Sequence, residues 1–321
     1  MTRVAAGARL HFGFQNLSLA HERLYGSLGV ALDSPRVVVT ADPADEVRCA
    51  HDAASEYARQ AVELLGVPGA DVTVEEALPR HVGLGSGTQL ALTVVSAVAR
   101  AHDCDPAVRE RAPKLGRGGR SGVGVAAFES GGFVLDSGHP TERFTADRPP
   151  RGEWSVPAVA ARHAVPEDWR FVVVLPDSEP GRSGDDEEAS MRSVVERADP
   201  TLADEIAAVV TRRLLPAVAE ADAERFGAAV AEVGRLNGAW YADEQGGVYR
   251  PPVGELVAEL SESPAIAGAG QSSWGPAVYG VTTECRADAA REAAHAALSA
   301  AGVGGEVLVA GPRNRGARID G

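Results

Sequence analysis

The sequence predicts an α+β protein of two domains, and three observations support that class. Apolar segments with the two-residue period of strands alternate with segments of helical period in both halves of the chain. The 321 residues are enough for two hydrophobic cores. A proline- and arginine-rich segment at residues 148–151 is typical of a linker or an exposed loop. We therefore expect domains at residues 1–160 and 161–321.

The first half shows the alternation most clearly. Strand patterns occur at residues 3–42, interrupted by a loop at 16–26, and again at 71–78 and 132–136. Helical spacing occurs at residues 53–65 and 88–102. Gly66 is expected to end the first helix, because glycine adopts the left-handed conformation that often closes helices.

The second half repeats the alternation with fewer strands. Strands are predicted at residues 171–175, 277–282 and 306–309. Residues 187–231 predict at least two helices, with breaks near Pro200 and Pro216, and residues 286–300 predict an alanine-rich helix.

The charge balance excludes some classes of partner. The net charge is -14, and Lys114 is the only lysine among 31 basic residues. Such a surface repels nucleic acid and anionic lipid, so neither is expected as a partner. The acidic excess favours a salt-loving organism, and a GC-rich genome with many arginine codons is the alternative explanation.

The sequence predicts a cytoplasmic protein. No apolar run reaches the roughly 18 residues that a membrane span needs, and residues 1–14 lack the layout of a signal peptide. Cys49, Cys104 and Cys285 lie far apart and form no CxxC pair, so free thiols are expected.

A glycine-rich turn at residues 79–88, between a predicted strand and a predicted helix, is the strongest functional signal. Glycine lets the backbone approach a ligand closely, and the start of a helix favours anions. The candidate phosphate or diphosphate ligands are Gly83, Leu84, Gly85, Ser86, Gly87 and Thr88. Ordinary turn chemistry is the alternative, because a bare Gly-x-Gly is weak evidence.

This turn resembles the phosphate loop of the GHMP kinases, such as galactokinase, homoserine kinase and mevalonate kinase. The pattern Pro-x-x-x-Gly-Leu-Gly-Ser-Ser is matched from Pro79 to Ser86, and Gly87 replaces the second serine. Residues 267–277 lie where that superfamily carries its third, glycine-rich motif. The resemblance implies a GHMP kinase-like fold, with an N-terminal β-α-β left-handed-crossover domain and a C-terminal ferredoxin-like α/β sandwich.

One departure separates the chain from many of these kinases. Where they carry a catalytic aspartate in a Gly-x-x-Ser-Gly-x-Asp stretch, this chain has Gly124. Glycine can neither accept a substrate proton nor hold a metal. Because some members lack that base, a small-molecule kinase that uses ATP remains the alternative function.

Four segments resemble the beta-ribofuranosylaminobenzene 5'-phosphate synthase family. They are residues 9–12, 116–128 with 131–139, 181–188, and 270–276. The resemblance implies that phosphoribosyl diphosphate is joined to 4-aminobenzoate or 4-hydroxybenzoate, with release of diphosphate and CO₂, as in methanopterin-type cofactor biosynthesis in archaea.

The implied reaction needs charge stabilisation more than a base. Departure of CO₂ restores the aromatic ring, so glycine at position 124 is compatible with this chemistry. Hydrogen-bond donors and Mg²⁺ are expected on the leaving diphosphate, and cations on the 5'-phosphate and the benzoate. No organic cofactor is expected.

The resemblance also implies site residues. Arg9, His11 and Arg120 are the candidate catalytic residues, and Arg9 and His11 alternate on a predicted strand and so face the same way. Further candidate substrate ligands are Arg117, Gly119, Ser121, Gly122, Arg182, Gly270, Gln271, Ser272 and Ser273. Arg117, Arg120 and Ser121 are expected to engage phosphate oxygens. Surface salt bridges are the alternative for the arginines.

Three questions stay open from the sequence. Asp136, which with His139 ends a predicted strand, binds Mg²⁺ or caps a turn. Arg182 with the acidic run at 185–188 forms a lid or a solvated helix start. A non-catalytic phosphosugar-binding protein is a further alternative, and a homodimer is one of the oligomeric states that the sequence allows.

Overall fold

Two antiparallel β-sheets with helices packed on them make up the described residues, 1–144, 151–178 and 185–321, of this computed structural model. The strands are β1 (Thr2–Asn16), β2 (Arg23–Pro43), β3 (Ala70–Glu76), β4 (Phe133–Asp136), β5 (His139–Pro140), β6 (Val159–His163), β7 (Trp169–Pro176), β8 (Gly268–Gln271), β9 (Val278–Thr283), β10 (Gly305–Ala310) and β11 (Arg318–Asp320). The predicted α+β class is confirmed.

Helices cover both sheets. They are α1 (Asp52–Leu65), α2 (Ser86–Ala101), α3 (Val108–Arg111), α4 (Val123–Ser130), α5 (Asp185–Arg197), α6 (Pro200–Val209), α7 (Leu215–Ala219), α8 (Ala223–Gln245), α9 (Val253–Ser261) and α10 (Ala287–Ala300). Helix α2 is buried along almost its whole length and packs on β1 and β2. Gly66 has φ +67° and caps α1 as predicted.

The strand order defines two units. The first sheet runs β11-β1-β2-β4-β6, with β3 and β5 also paired to β2, and the second runs β10-β7-β9-β8. The predicted boundary at residue 160 falls inside β6, which pairs with β4, so the first unit extends past it. Strand β11 also returns to β1, because only there do its backbone groups find strand partners.

Helix α8 joins the two units. It contacts β8 and β9 of the second sheet and β1 of the first. Its buried Asn237 accepts a hydrogen bond from Phe14 N (2.7 Å) and donates one to Phe14 O (2.9 Å). The amide thus takes the place of a strand neighbour at Phe14, because β11 pairs with β1 only at residues 3–5.

The predicted helix break at Pro216 is wrong, whereas the one at Pro200 is correct. Pro200 is the first residue of α6 and follows Asp199, whose side chain accepts a hydrogen bond from Thr201 N. Between α6 and α7 the chain continues through a π-type turn, Val210–Leu214. This wider turn accommodates a residue without a backbone N–H, so the helical path continues through Pro216.

Candidate active site

A cavity of about 860 Å³ is bordered by β1, the start of α2, the loop at residues 116–122 and the turn at 273–275. Its described lining contains one carboxylate, Glu56, and six arginines. The arginines are Arg9, Arg80, Arg117, Arg120, Arg151 and Arg192. In a chain of net charge -14, this concentration of cations favours a polyanionic ligand.

The turn that precedes α2, termed here the phosphate loop (residues 83–88), lines this cavity. Gly83 and Gly85 have φ values of +99° and +78°, which side chains rarely adopt. Gly85 caps α2 without a side-chain hydrogen bond, so no capping side chain covers the N–H groups that begin the helix. This is the geometry that binds phosphate at helix N-termini.

Strand β1 connects the phosphate loop to the turn after β8. Arg9 donates from its backbone N to Leu84 O (3.1 Å) and from Nη1 to Gly83 O (2.6 Å). Ser272 Oγ accepts a hydrogen bond from His11 N (3.1 Å) and donates one to Gly83 O (2.8 Å). Bulges between Gly7 and Arg9 and after His11 give this part of β1 its irregular pairing. The segments at 9–12, 83–88 and 270–276 therefore form one site.

Several predicted ligands hold this site together instead of lining the large cavity. Leu84 is fully buried in the core, and Ser272 is fully buried between β1 and the phosphate loop. A Cβ on Gly270 would lie 2.6 Å from the Tyr279 hydroxyl, so that glycine serves packing. Gln271 donates to Ser273 O (3.2 Å) and borders only a smaller, adjoining cavity. None of these four residues borders the large cavity, because burial or packing against neighbouring groups keeps each of them away from it.

The remaining predicted ligands border the large cavity, with two exceptions. Those on its lining are Arg9, His11, Gly83, Gly85, Ser86, Gly87, Thr88, Arg117, Gly119, Arg120, Ser121 and Ser273. Gly122 is buried, and its N–H donates to Asp136 (2.7 Å), so it supports the loop. Arg182 lies outside the described residues.

Asp136 and His139 hold the loop at residues 116–122, termed here the second glycine-rich loop. Asp136 is fully buried and accepts hydrogen bonds from Gly122 N, Gly138 N (2.9 Å) and the Ser27 hydroxyl. His139 Nε2 lies 2.5 Å from Gly119 O. Burial raises the pKa of Asp136. The structure therefore supports the turn-capping alternative, because protein donors take up this carboxylate.

The described residues do not fit a protein-bound metal centre. They contain no group of three or more His, Cys, Asp or Glu side chains that could hold a metal ion. Asp136 is saturated by hydrogen bonds and does not border the cavity.

His11 lies where the two cavities meet. It is 3% exposed, and its ring is 5.0 Å from that of Phe14. Burial and the neighbouring Arg9 lower the pKa of His11 to about 3, so the imidazole is neutral near pH 7. Its Nδ1 has no hydrogen-bond partner among the described residues.

Aromatic side chains border the smaller cavity, termed here the aromatic lobe. Its volume is about 40 Å³, and it shares His11, Phe14, Ser273 and Trp274 with the lining of the large cavity. Its lining includes Phe14, Tyr241, Tyr249 and Trp274, and the rings of Tyr241 and Trp274 lie 4.4 Å apart. Such a surface suits a flat aromatic ring.

Sequence reasoning missed several lining residues. Arg80 and Trp274 lie inside the two glycine-rich motifs, so their position next to the named ligands was an available signal. No sequence signal pointed to Tyr57 of α1. It contacts Arg117, whose Cζ lies 5.5 Å from the centre of its ring.

Position 124 confirms that the chain has no aspartate where GHMP kinases carry one. Gly124 is buried in α4, and a Cβ there would lie 3.1 Å from Thr88 Cγ2. Its carbonyl accepts a hydrogen bond from Gln89 Nε2 (2.9 Å). Helices α2 and α4 pack closely at this point.

The comparisons with known proteins agree with this architecture. Residues 48–132 match the N-terminal domain of the GHMP kinases and residues 214–300 match their C-terminal domain, together more than half of the chain. Mevalonate pyrophosphate decarboxylase from Streptococcus pyogenes has a similar structure, with a TM-score of 0.69 at 11% identity over 98% of this chain and 97% of that one. The fold and its glycine-rich loops thus define a member of the GHMP kinase superfamily.

Two full-length relatives define the family more narrowly. The beta-ribofuranosylphenol 5'-phosphate synthase of Methanothermobacter thermautotrophicus is 33% identical, over 97% of this chain and 96% of its own length. The synthase of the same name from Archaeoglobus fulgidus is 30% identical over the whole of both chains. The chain belongs to the beta-ribofuranosylphenol 5'-phosphate synthase family, and it is an enzyme. None of its described helices is long and apolar enough to cross a membrane.

Proposed function

We propose that the chain transfers the phosphoribosyl group of phosphoribosyl diphosphate to the carboxylate-bearing carbon of a para-substituted benzoate. The bond from ribosyl C1 to the diphosphate breaks and a C–C bond to the ring forms. The bond to the carboxylate then breaks, CO₂ leaves, and its electron pair restores aromaticity. The product is a C-riboside 5'-phosphate, so the enzyme is a decarboxylating pentosyltransferase.

Full-length similarity to the synthases is the observation that carries this proposal. The cationic cavity supports it, because the donor substrate carries a diphosphate and a 5'-phosphate. The names of the relatives specify a phenol, which favours 4-hydroxybenzoate as the acceptor over 4-aminobenzoate.

The phosphate loop suits the diphosphate. The start of α2, Arg9 and Arg117 supply N–H groups and positive charge beside Gly85 and Gly87. Charge that develops on the leaving diphosphate is stabilised by such preorganised donors.

The aromatic lobe and the adjoining wall of the large cavity suit the arene. Neutral His11 offers an uncharged hydrogen-bonding group there, with Nδ1 unpaired within the described part of the chain.

Mg²⁺ remains part of the proposal. Because the described residues hold no suitable carboxylate cluster, we infer that Mg²⁺ enters as a complex with the diphosphate substrate. The proposal includes no organic cofactor.

The kinase alternative is supported by the fold alone. Its similarity to solved kinases is at the level of architecture, and Gly124 supplies no base.

The test is an assay with phosphoribosyl diphosphate, Mg²⁺ and carboxyl-labelled 4-hydroxybenzoate or 4-aminobenzoate, at low and high KCl. Equimolar CO₂ and diphosphate, with faster turnover of 4-hydroxybenzoate, are expected. Activity that rises with KCl would agree with a salt-loving organism. Phosphorylation of a small alcohol by ATP, without CO₂ release from either benzoate, would overturn the proposal.

A further inference from the structure

A chain of hydrogen bonds leads from the large cavity into the core. Ser121, on the second glycine-rich loop, borders the cavity, and its Oγ lies 2.6 Å from Ser27 Oγ. The Ser27 hydroxyl in turn contacts the carboxylate of Asp136. Ser27 and Asp136 are fully buried and do not reach the cavity, so Ser121 is the end that a ligand can touch.

The hydrogen bonds that Asp136 accepts determine which hydroxyl donates and which accepts along this chain. Its carboxylate receives four donors, namely the Ser27 hydroxyl and the backbone N–H groups of Ser27, Gly122 and Gly138. An ionised carboxylate has about four lone-pair sites and accepts only, so four donors fill it. Burial raises the pKa of Asp136, but the four donors stabilise its ionised form. The proton of the Ser27 hydroxyl is therefore directed to Asp136.

Each serine hydroxyl has a single proton to donate. Because that of Ser27 is directed to Asp136, Ser27 Oγ accepts from Ser121, and the proton of Ser121 points away from the cavity. The group that Ser121 presents to a ligand is thus a pair of acceptor lone pairs.

This polarity corrects the expectation that Ser121 engages phosphate. Phosphate oxygens are themselves acceptors and gain nothing from a second acceptor. The neighbouring Arg117 and Arg120 provide the donors for anionic groups on the same loop. A ligand that fits the whole loop carries both anionic oxygens and a hydroxyl, and a phosphoribosyl group has both.

We propose that Ser121, oriented by Ser27 and Asp136, accepts a hydrogen bond from a ribosyl hydroxyl of the phosphoribosyl substrate. The proposal rests on the proposed function for the identity of that substrate. Ser121 is then a specificity-determining residue, and Ser27 and Asp136 are positioning residues. A site built to bind a hydroxyl leaves a polar group unpaired when the hydroxyl is missing, so deoxy analogues are rejected.

The test compares phosphoribosyl diphosphate with its 2-deoxy and 3-deoxy analogues. In the wild type, kcat/KM is expected to be about tenfold lower for one analogue, which identifies the hydroxyl that is read. Ser121→Ala should lower kcat/KM for the natural substrate about tenfold and leave kcat/KM for that analogue unchanged, so the ratio of the two values falls to about one.

Ser27→Ala should reduce the same ratio of kcat/KM values, because it frees the Ser121 proton to point to the cavity. Ser261→Ala, in α9, is the matched control and should leave it unchanged.

Two outcomes would overturn the proposal. One is an equal loss by Ser121→Ala for all three donors, which indicates a phosphate contact or a structural role. The other is a wild type that does not discriminate against either analogue. Thermal unfolding of each variant, with Ser121→Cys as a second substitution, separates misfolding from lost recognition.

Calorimetry with ribose 5-phosphate and its 2-deoxy and 3-deoxy forms separates this proposal from the function on which it rests. If the wild type releases no CO₂ but binds one deoxy sugar phosphate more weakly, and Ser121→Ala removes the difference, only the proposed reaction fails. If CO₂ is released and no sugar hydroxyl is discriminated, only the role of Ser121 fails.

Discussion

The guanidinium of Arg117 lies directly against Gly87 of the phosphate loop. A Cβ at position 87 would come within 2.9 Å of Arg117 Nη1 and 3.0 Å of its Cζ. The same guanidinium also meets Tyr57, to whose hydroxyl Nη2 donates. Glycine at 87, where the GHMP pattern has a second serine, therefore makes room for a cation beside the start of α2.

Gly87→Ala tests this relationship. The added methyl group pushes the guanidinium away while the backbone keeps an ordinary conformation, so KM for phosphoribosyl diphosphate should rise about tenfold, the equivalent of one charge-assisted hydrogen bond. Steady-state kinetics of Gly87→Ala, Arg117→Ala and the double variant provide the measurement. The double variant should lose no more than Arg117→Ala alone. Additive losses would contradict a role through Arg117, and Gly254→Ala in α9 is the control.

Ser272→Ala should act on stability. Its hydroxyl links His11 N to Gly83 O in a fully buried position. Its removal leaves the buried N–H of His11 unpaired, whereas Gly83 O keeps its hydrogen bond from Arg9 Nη1. We expect the free energy of unfolding to fall by about 1–3 kcal/mol, measured by denaturant titration. Ser273→Ala, one residue along, should change it by less than about 1 kcal/mol. Equal effects of the two changes would contradict the division of roles between these serines.

His11 should make stability depend on pH. Its pKa is about 3 in the folded protein and 6.5 in the unfolded chain, so between these values only the unfolded state binds the proton. Its contribution is present above pH 6.5 and is lost as the pH falls towards 3. Between pH 7 and pH 5 the wild type should lose roughly 2 kcal/mol more than His11→Gln. The same pH dependence in both proteins, by denaturant unfolding, would show that His11 is not held neutral.

Trp274→Ala tests the aromatic lobe. Removal of the indole that packs on Tyr241 should raise KM for 4-hydroxybenzoate about tenfold, because aromatic contacts and buried area contribute about 1.5 kcal/mol or more. KM for phosphoribosyl diphosphate should stay within about twofold, and Trp274→Phe should preserve most of the affinity for the arene. A parallel rise of both KM values in Trp274→Ala would place the arene elsewhere.

Much of the fold was predictable because its signals are local. The period of apolar residues predicted most strands and helices, and Gly66 ended α1 where expected. The short strands β5, β6, β8 and β11 were missed, since their pairing depends on neighbours outside the strand itself. The helix break predicted at Pro216 was wrong because the adjacent π-type turn accommodates the proline.

The sequence by itself indicated where the backbone could turn sharply beside the cavity. Gly83 and Gly85 adopt positive φ values, and the absence of a side chain, which permits that conformation, is readable from the sequence. It also determined that position 124 holds no base.

Only the tertiary structure decided which side chains border the large cavity. Ser272 and Ser273 are neighbours with the same chemistry, yet only Ser273 borders the large cavity. The carboxylate of Asp136 accepts a hydrogen bond from Ser27, which is distant in the sequence, and Ser121 is oriented through its contact with Ser27. A buried polar side chain must form hydrogen bonds with the groups packed around it, and those groups come from elements distant in the chain.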